Sequence, residues 1–577
     1  MIGLISATAA GTAARDRLAA AWPDRTRIYD GPVREAVERA FAECAQLVCF
    51  LAAGAVVRLV APLLADKESD PGVVCVDEAG RHAVALLGGH AGGANELAEA
   101  VAEVLPACSP VVTTATDAVH VPGLDTLGWP VEGEVAGVTR AILDGGPVAL
   151  RADAVWPLPA LPANVRPDAA GSADSTATLY VTDRLLPSPD GHTAVLRPPS
   201  LVVGVGASRG APADEILGLI EGALADAGLS PRSVSALATV DAKAGEPGLV
   251  EAARRLGVEL HTFPAPELAE VEVPNPSGAP LAAVGTPSVA EAAALRDAGT
   301  GAQLLVTKRK SAPQGRPAMA TAAVARRHPR GRLAVVGLGP GARDLLTPRA
   351  RDELRRASTV VGLDQYVDQI RDLLRPGTRV LESGLGAEEE RARTAVAEAR
   401  AGHAVALIGS GDAGVYAMAS PALAEATAAP DGTGIDVVGV PGVTAALAAA
   451  AVLGAPLGHD HVSISLSDLH TPWEVIERRV RAAAEADLVV TFYNPRSRGR
   501  DWQLPKALGI LAEHRAPETP VGVVRNASRP DETSLLTTLA DVDADRVDMM
   551  TVVLVGNTAA RCVAGRMVTP RGYRWQS

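Results

Sequence analysis

Three times along the chain a short apolar run ends in a cluster of glycines and gives way to a stretch rich in alanine and leucine. The runs are LVVGVGAS (201–208) before a helical stretch at 213–227, LAVVGLGPG (333–341) before 347–357, and AVALIGSGD (404–412) before a helix beginning near Val415. A chain that alternates buried strand, tight turn and helix buries both element types by layering them, so the expected fold class is α/β with several domains and largely parallel sheets. Each glycine turn then falls at the carboxyl end of a strand, where open α/β sheets place their ligands. The 577 residues give length for about four domains of roughly 150 residues each.

Composition marks the seams. The stretch 153–200 is rich in proline and carries DAAGSADS and SPDGH. A second seam, 311–332, runs through SAPQGRP and RRHPRGR before a fresh strand, and a third lies at 454–460 around APLGHD. The expected partition is an α/β domain over 1–120, a small proline-rich middle domain over 121–200, an α/β domain over 201–328, and a C-terminal region 332–577 with lobes at about 332–456 and 459–577.

Charge and cysteine usage exclude several classes. Net charge is -13, and only Lys67, Lys243, Lys308, Lys310 and Lys506 among the 54 basic residues are lysine, so no polybasic surface for nucleic acid is expected. The cysteines (Cys44, Cys49, Cys75, Cys108, Cys562) lack CxxC spacing, which argues against a zinc cage or disulfide framework and fits a reducing cytoplasm. His82, His90 and His120 have no metal-ligand spacing, so no protein-bound metal is expected. The longest apolar stretch, 47–64, is broken by Gly54, Arg58 and Pro62 and falls short of the about 20 continuous apolar residues of a membrane span. The opening MIGLISATAAG lacks a basic n-region and reads as a first buried strand.

Chemistry concentrates in three glycine-bearing loops. Gly337, Gly339 and Gly341 in GLGPG let the backbone approach a ligand or simply turn tightly; Pro340 removes a donor, and the pattern is not the dinucleotide GxGxxG. In GSGDAGVYAMAS (409–420), Asp412 among Gly409, Gly411 and Gly414 suits a cationic or hydroxyl-bearing ligand, or serves as a helix N-cap. In VGVPGVTAALAAAAVLGAPLG (438–458), Thr444 opens a helix of small residues.

These loops, followed in order by SISLSDLHTPWE, TFYNPRSRGRDWQL, RNASRPDE, TVVLVGNTAAR and MVTPRGY, resemble the tetrapyrrole methylases over 332–577, and among them the C17-methyltransferases of cobalamin ring synthesis that act on precorrin-3B. The resemblance implies a two-lobed α/β enzyme with S-adenosylmethionine between the lobes, and a homodimer. By matching positions, Gly337, Gly339, Pro340, Gly341, Asp412, Gly414, Val415, Tyr416, Thr444 and Ala445 line the cofactor from the first lobe. Tyr493, Asn494, Asn526 and Ala527 approach it from the second. A precorrin carries many carboxylates, for which Arg496, Arg498, Arg500, Arg525 and Arg529 are candidate partners. Ring contraction in that reaction calls for a proton donor near the macrocycle, and Asp412 is the candidate.

The N-terminal motifs GGHAGGAN (88–95), PVVTTATD (110–117), LATVDAKAGEPGL (237–249), VGTPSVAEAAAL (284–295) and VTKRKSA (306–312) resemble the cobalt-precorrin-5A hydrolases of the same pathway. The implied reaction opens a ring lactone and releases acetaldehyde. Asn95 reads as an N-cap, and His90 as a general base or a structural hydrogen-bonding group. Lys243, Glu246, Ser288 and Glu291 suggest a second polar pocket within 201–328. The alternatives are a non-catalytic corrinoid carrier in the N-terminal region, or a methylase of the same fold acting on a non-corrin acceptor.

Overall fold

A computed structural model describes the chain except residues 67–68, 90–91, 114–122, 125–126, 168–174, 187–191, 428–433, 498 and 573–577. It forms two compact units, one of residues 1–154, 161–328 and 375–377, the other of 155–160, 329–374 and 378–577. The α/β expectation holds throughout, with helices alternating with strands in both.

The first unit contains three sheets. The opening IGLIS is indeed a strand, Ile2–Ser6, within a six-stranded sheet ordered Thr26–Ile28, Ile2–Ser6, Gln46–Phe50, Gly72–Val76, His82–Leu87, Ser109–Val111. A second sheet is built from strands between Val131 and Leu196. In the third, the order is Glu259–Phe263, Val234–Val240, Leu201–Ala207, Ala320–Arg326, Gln303–Lys310, with Ala320–Arg326 antiparallel to both neighbours. The helix Ala94–Val104 starts one residue before Asn95, after Gly93 in the left-handed region (φ 70°). Asn95 therefore sits buried in the first turn and is not the N-cap expected from the sequence.

Two helices sandwich the third sheet. Ile216, Ile220 and Leu224 of Ala213–Asp226 pack on Leu201, Val203 and Val205. On the opposite face Ala290–Ala298 lies so close that a Cβ on Gly204 would stand 1.9 Å from the Ala290 carbonyl oxygen. Only a glycine allows backbone to approach backbone in this way.

The second unit has two lobes. The first is an all-parallel sheet ordered Arg379–Ser383, Thr359–Leu363, Ala404–Gly409, Gly331–Gly337, Ile435–Val440, with apolar clusters on both faces. The helix Pro348–Arg356 starts where the sequence indicates, with Thr347 Oγ1 accepting from the Ala350 amide at 3.1 Å. The helix after Ala404–Gly409 begins at Ala419 and not near Val415, because Tyr416 takes a left-handed conformation (φ 52°) that no helix continues through. The second lobe is ordered His461–Ser465, Val489–Tyr493, Thr551–Val555, Pro520–Arg525, Thr533–Thr538, and only its first pair is parallel. The sequence rhythm pointed to largely parallel sheets; here the short connection 526–532 has no room for a crossover helix, so its strands pair as a hairpin. Among the described residues no helix is long and apolar enough to cross a membrane.

The Gly204 contact generates a stability prediction. Gly204→Ala forces the Ala290 carbonyl away from the sheet and should destabilise the first unit by about 1–3 kcal/mol, read as a lower denaturation midpoint at unchanged slope.

Candidate functional site

Three strand ends of the first lobe converge. Gly339 and Gly411 exchange backbone hydrogen bonds (Gly339 N to Gly411 O 3.0 Å, Gly411 N to Gly339 O 2.7 Å), locking the loop after Gly331–Gly337 onto the loop after Ala404–Gly409. A Cβ on Gly442 would lie 2.2 Å from Gly411 O, and one on Gly337 would lie 2.7 Å from the same atom, so the third loop closes on both by backbone contact alone.

Asp412 braces this junction. One carboxylate oxygen accepts from Gly414 N at 2.8 Å and the other from Gly442 N at 3.0 Å. It caps no helix, since the next one begins at Ala419. With each oxygen holding a backbone amide, the side chain binds two loops together.

The second lobe meets these loops through side chains. The Tyr493 hydroxyl accepts from Ala446 N at 2.9 Å and lies 2.6 Å from Thr444 Oγ1, so it caps the helix Ala445–Leu453, whose own N-cap Thr444 makes no side-chain capping bond. The Tyr416 ring packs 5.2 Å from that of Tyr493, and its hydroxyl donates to Ser463 O at 2.8 Å. Although the residue as a whole is half exposed, desolvation of its hydroxyl, with Tyr493 beside it, pushes the Tyr416 phenol above its ordinary value and keeps it a donor. On the other side, Ser528 Oγ accepts from Ala342 N at 3.1 Å and Arg529 Nε donates to Pro340 O at 3.1 Å.

Backbone strain gathers here. Among the described residues seven non-glycine residues have positive φ, and Tyr416, Asn494, Asn526 and Ser528 are four of them. Asn494 Nδ2 donates to Ser465 Oγ at 3.0 Å. Asn526 Nδ2 donates to Asp531 at 2.6 Å, which leaves its buried Oδ1 without a partner. Ala527 beside it is also buried, whereas Val415 and Tyr416 are exposed.

The candidate arginines divide sharply. Arg496 pairs with Asp545 at 2.7 Å and also donates to Ala544 O. Arg525 pairs with Asp548 at 2.7 Å and with Asp531 at 3.3 Å. Burial opposes ionisation of Asp548, but Arg525, Thr551 and the Met550 amide outweigh it and hold the carboxyl below its usual range. Arg529 is engaged with the Pro340 loop, Arg500 is buried, and Arg498 lies outside the described residues. Ser528, Ser465 and Gln503 were not picked out from the sequence; a serine or glutamine in a polar loop carries no pattern that marks it.

In the first unit, Glu291 is fully buried and accepts from Asn275 N (3.1 Å), Asn275 Nδ2 (2.8 Å) and Lys308 N (2.8 Å). Glu246 takes the Gly210 amide and lies 3.5 Å from Lys243 Nζ. Ser288 is buried with its Oγ unpartnered. Lys243 and Glu246 thus meet each other, and Glu291 is held by Asn275 and Lys308. His90, His120 and Lys67 lie outside the described residues. Among the described residues no group of three or more His, Cys, Asp or Glu is placed to hold a metal.

Comparison with known proteins finds family and sequence matches along most of the chain. Residues 332–543 match the family of Tetrapyrrole (Corrin/Porphyrin) Methylases, 201–325 match Cobalamin synthesis G C-terminus, and 35–117 match Cobalamin synthesis G N-terminal. A probable cobalt-factor III C(17)-methyltransferase of Salmonella typhimurium is 47% identical over 241 residues, 42% of this chain and 99% of that protein. A precorrin-3B C(17)-methyltransferase of a Sinorhizobium species is 41% identical over 249 residues, 42% of this chain and 97% of that protein. The solved structure of the methyltransferase CobJ covers 42% of this chain and 100% of its own at 41% identity, with a TM-score of 0.40.

The tyrosine latch generates the prediction of this section. Tyr493→Phe leaves Ala446 N and Thr444 Oγ1 without their partner and should destabilise the second unit by about 1–2 kcal/mol. Thr444→Val should cost less in the Phe background than alone, with a coupling of at least about 0.5 kcal/mol in a double-mutant cycle. By sequence match and by the convergence of its glycine loops, the chain belongs to the tetrapyrrole methylase family through its C-terminal region, joined to cobalamin synthesis G domains in its N-terminal region.

Proposed function

We propose that residues 332–577 catalyse S-adenosylmethionine-dependent methylation at C17 of a cobalamin precursor, precorrin-3B or its cobalt-bearing counterpart, with contraction of the ring. The observation that carries this reading is 47% identity across 99% of a probable cobalt-factor III C(17)-methyltransferase. The residues present fit the cofactor. Backbone-only packing of the Gly339, Gly411 and Gly442 loops gives close approach, and the orphaned buried Asn526 Oδ1 offers an acceptor to an amino or ammonium group.

When bound, S-adenosylmethionine supplies an already activated methyl group, so the protein's task is orientation more than proton abstraction. Gly337, Gly339, Pro340 and Gly341, with Gly414, Val415, Tyr416, Thr444 and Ala445, are the proposed walls on the first lobe; Tyr493, Asn494, Asn526 and Ala527 are those on the second. Tyr493 and Asp412 hold these walls in register.

For residues 1–328 we propose a cobalt-precorrin-5A hydrolase type of activity that opens a ring lactone and releases acetaldehyde. The domains assigned are 1–120, 121–200 and 201–328. What supports this partition is that strands between Ile2 and Val111, between Val131 and Leu196, and between Leu201 and Arg326 each make a sheet of their own.

The test is incubation of the full chain with labelled S-adenosylmethionine and either precorrin-3B or cobalt-factor III, following product mass. One added methyl on a single acceptor is expected and identifies the route; no transfer to either while the cofactor binds would sink the corrin assignment. Gly442→Ala, which drives a Cβ into the Gly411 carbonyl, should lose methyl transfer. Acetaldehyde release from cobalt-precorrin-5A by that same variant is expected, and binding without mass change would make the N-terminal region a carrier.

A further inference from the structure

Four arginines of the described residues are buried: Arg197, Arg391, Arg500 and Arg515. A guanidinium out of water costs several kcal/mol unless its donors find acceptors, and a carboxylate or carbonyl is the usual one. Arg197 pairs with Glu132 at 2.8 Å. Arg391 donates to Gly384 O at 2.9 Å and to Ser383 Oγ at 2.9 Å. Arg515 donates to Gly556 O and to Leu488 O, both at 2.6 Å.

Arg500 has nothing comparable. Its side chain reaches only Ser497 Oγ at 3.3 Å and the Met549 sulfur at 3.7 Å, and its buried Nη1 has no partner. Burial pushes its pKa below the usual arginine value, and the charge of Asp468 only partly opposes this. Three residues on, at the start of the helix Gln503–Ala512, Gln503 is 1% exposed, and its Nε2 donates to Asp468 Oδ2 at 3.0 Å. That bond fixes which way the amide faces, so the unpartnered atom is its acceptor, Oε1. The sequence neighbours of this pair are conspicuously apolar and exposed: Leu469 follows Asp468 at 72% exposure and Trp502 precedes Gln503 at 41%. A buried, only partly compensated cation and a buried open acceptor beside an exposed apolar rim suit a ligand with a broad apolar face, carboxylate arms and a hydroxyl or N–H donor.

We propose that Arg500 and Gln503 form a recognition subsite in the second lobe for one carboxylate arm and an adjacent donor of the tetrapyrrole acceptor. This rests on the methyltransferase reading above. Of the five arginines that the sequence offers for this task, Arg496 and Arg525 are neutralised within the protein and Arg529 holds the Pro340 loop. Arg500 is the described one whose charge is left for a ligand.

The test uses the full-length protein and the acceptor it methylates, with three readouts: KM for the acceptor, affinity for S-adenosylmethionine, and melting temperature. Arg500→Met should raise the acceptor KM at least about tenfold, the worth of one charged hydrogen bond, and leave cofactor affinity unchanged. Its melting temperature should hold or rise, because a buried, only partly compensated charge has been removed, and the extra thermal stabilisation given by the acceptor should shrink. Arg500→Lys, which keeps the charge, should recover part of the KM. An unchanged KM in Arg500→Met, whether or not the melting temperature falls, would overturn the subsite alone and leave Arg500 a packing residue. A wild-type protein that methylates neither acceptor would overturn the proposed function and this subsite with it.

Discussion

The second unit depends on backbone meeting backbone where Gly339, Gly411 and Gly442 come together. Two reciprocal amide bonds join the first two loops, and the Asp412 carboxylate ties the second to the third. Any side chain at Gly442 or Gly337 would meet a carbonyl or amide well inside contact distance. The parallel sheet of the first lobe exists to deliver these three strand ends to one edge, and its apolar clusters on both faces keep that edge rigid. A loop cluster with no side chains at its centre has little of its own to do chemistry with; it shapes and orients.

The second lobe supplies what the glycine loops lack. Tyr493 caps a helix of the first lobe, Tyr416 reaches the other way to Ser463, and Ser528 and Arg529 hold the Pro340 loop. Four such crossings, each worth about 1 kcal/mol, explain how two sheets of different topology act as one unit. They also bear on the strain: Tyr416 and Ser528, both in left-handed backbones, are each held by a hydrogen bond to the opposite lobe.

Arginine is the common cation of this chain, and its placements have different meanings. Many pair with carboxylates at exposed or half-buried positions, worth little individually. The buried ones are structural wherever a carboxylate or carbonyl receives them, and Arg500 stands apart because neither does. The same residue type in one short motif, NPRSRGR, thus serves to close a loop at Arg496 and to leave a charge open at Arg500.

Much was legible in the sequence because it depended on local pattern. The strand, glycine turn and helix rhythm announced the α/β layers, and the helix at Pro348–Arg356 fell within the stretch 347–357 that this rhythm marked. Glycine clusters at strand ends identified the loops of the site, since φ freedom and close approach are properties of the residue itself. The antiparallel second lobe, the helix delayed to Ala419, and the buried position of Asn95 were not readable, because each follows from contacts distant in sequence. Asp412 shows the boundary between the two. Its type and its glycine neighbours marked it as important, but only the fold brings Gly442 to its second oxygen and makes it a brace. In the same way the sequence supplied five arginines, and burial, which no local pattern encodes, decided which of them keeps its charge for something else.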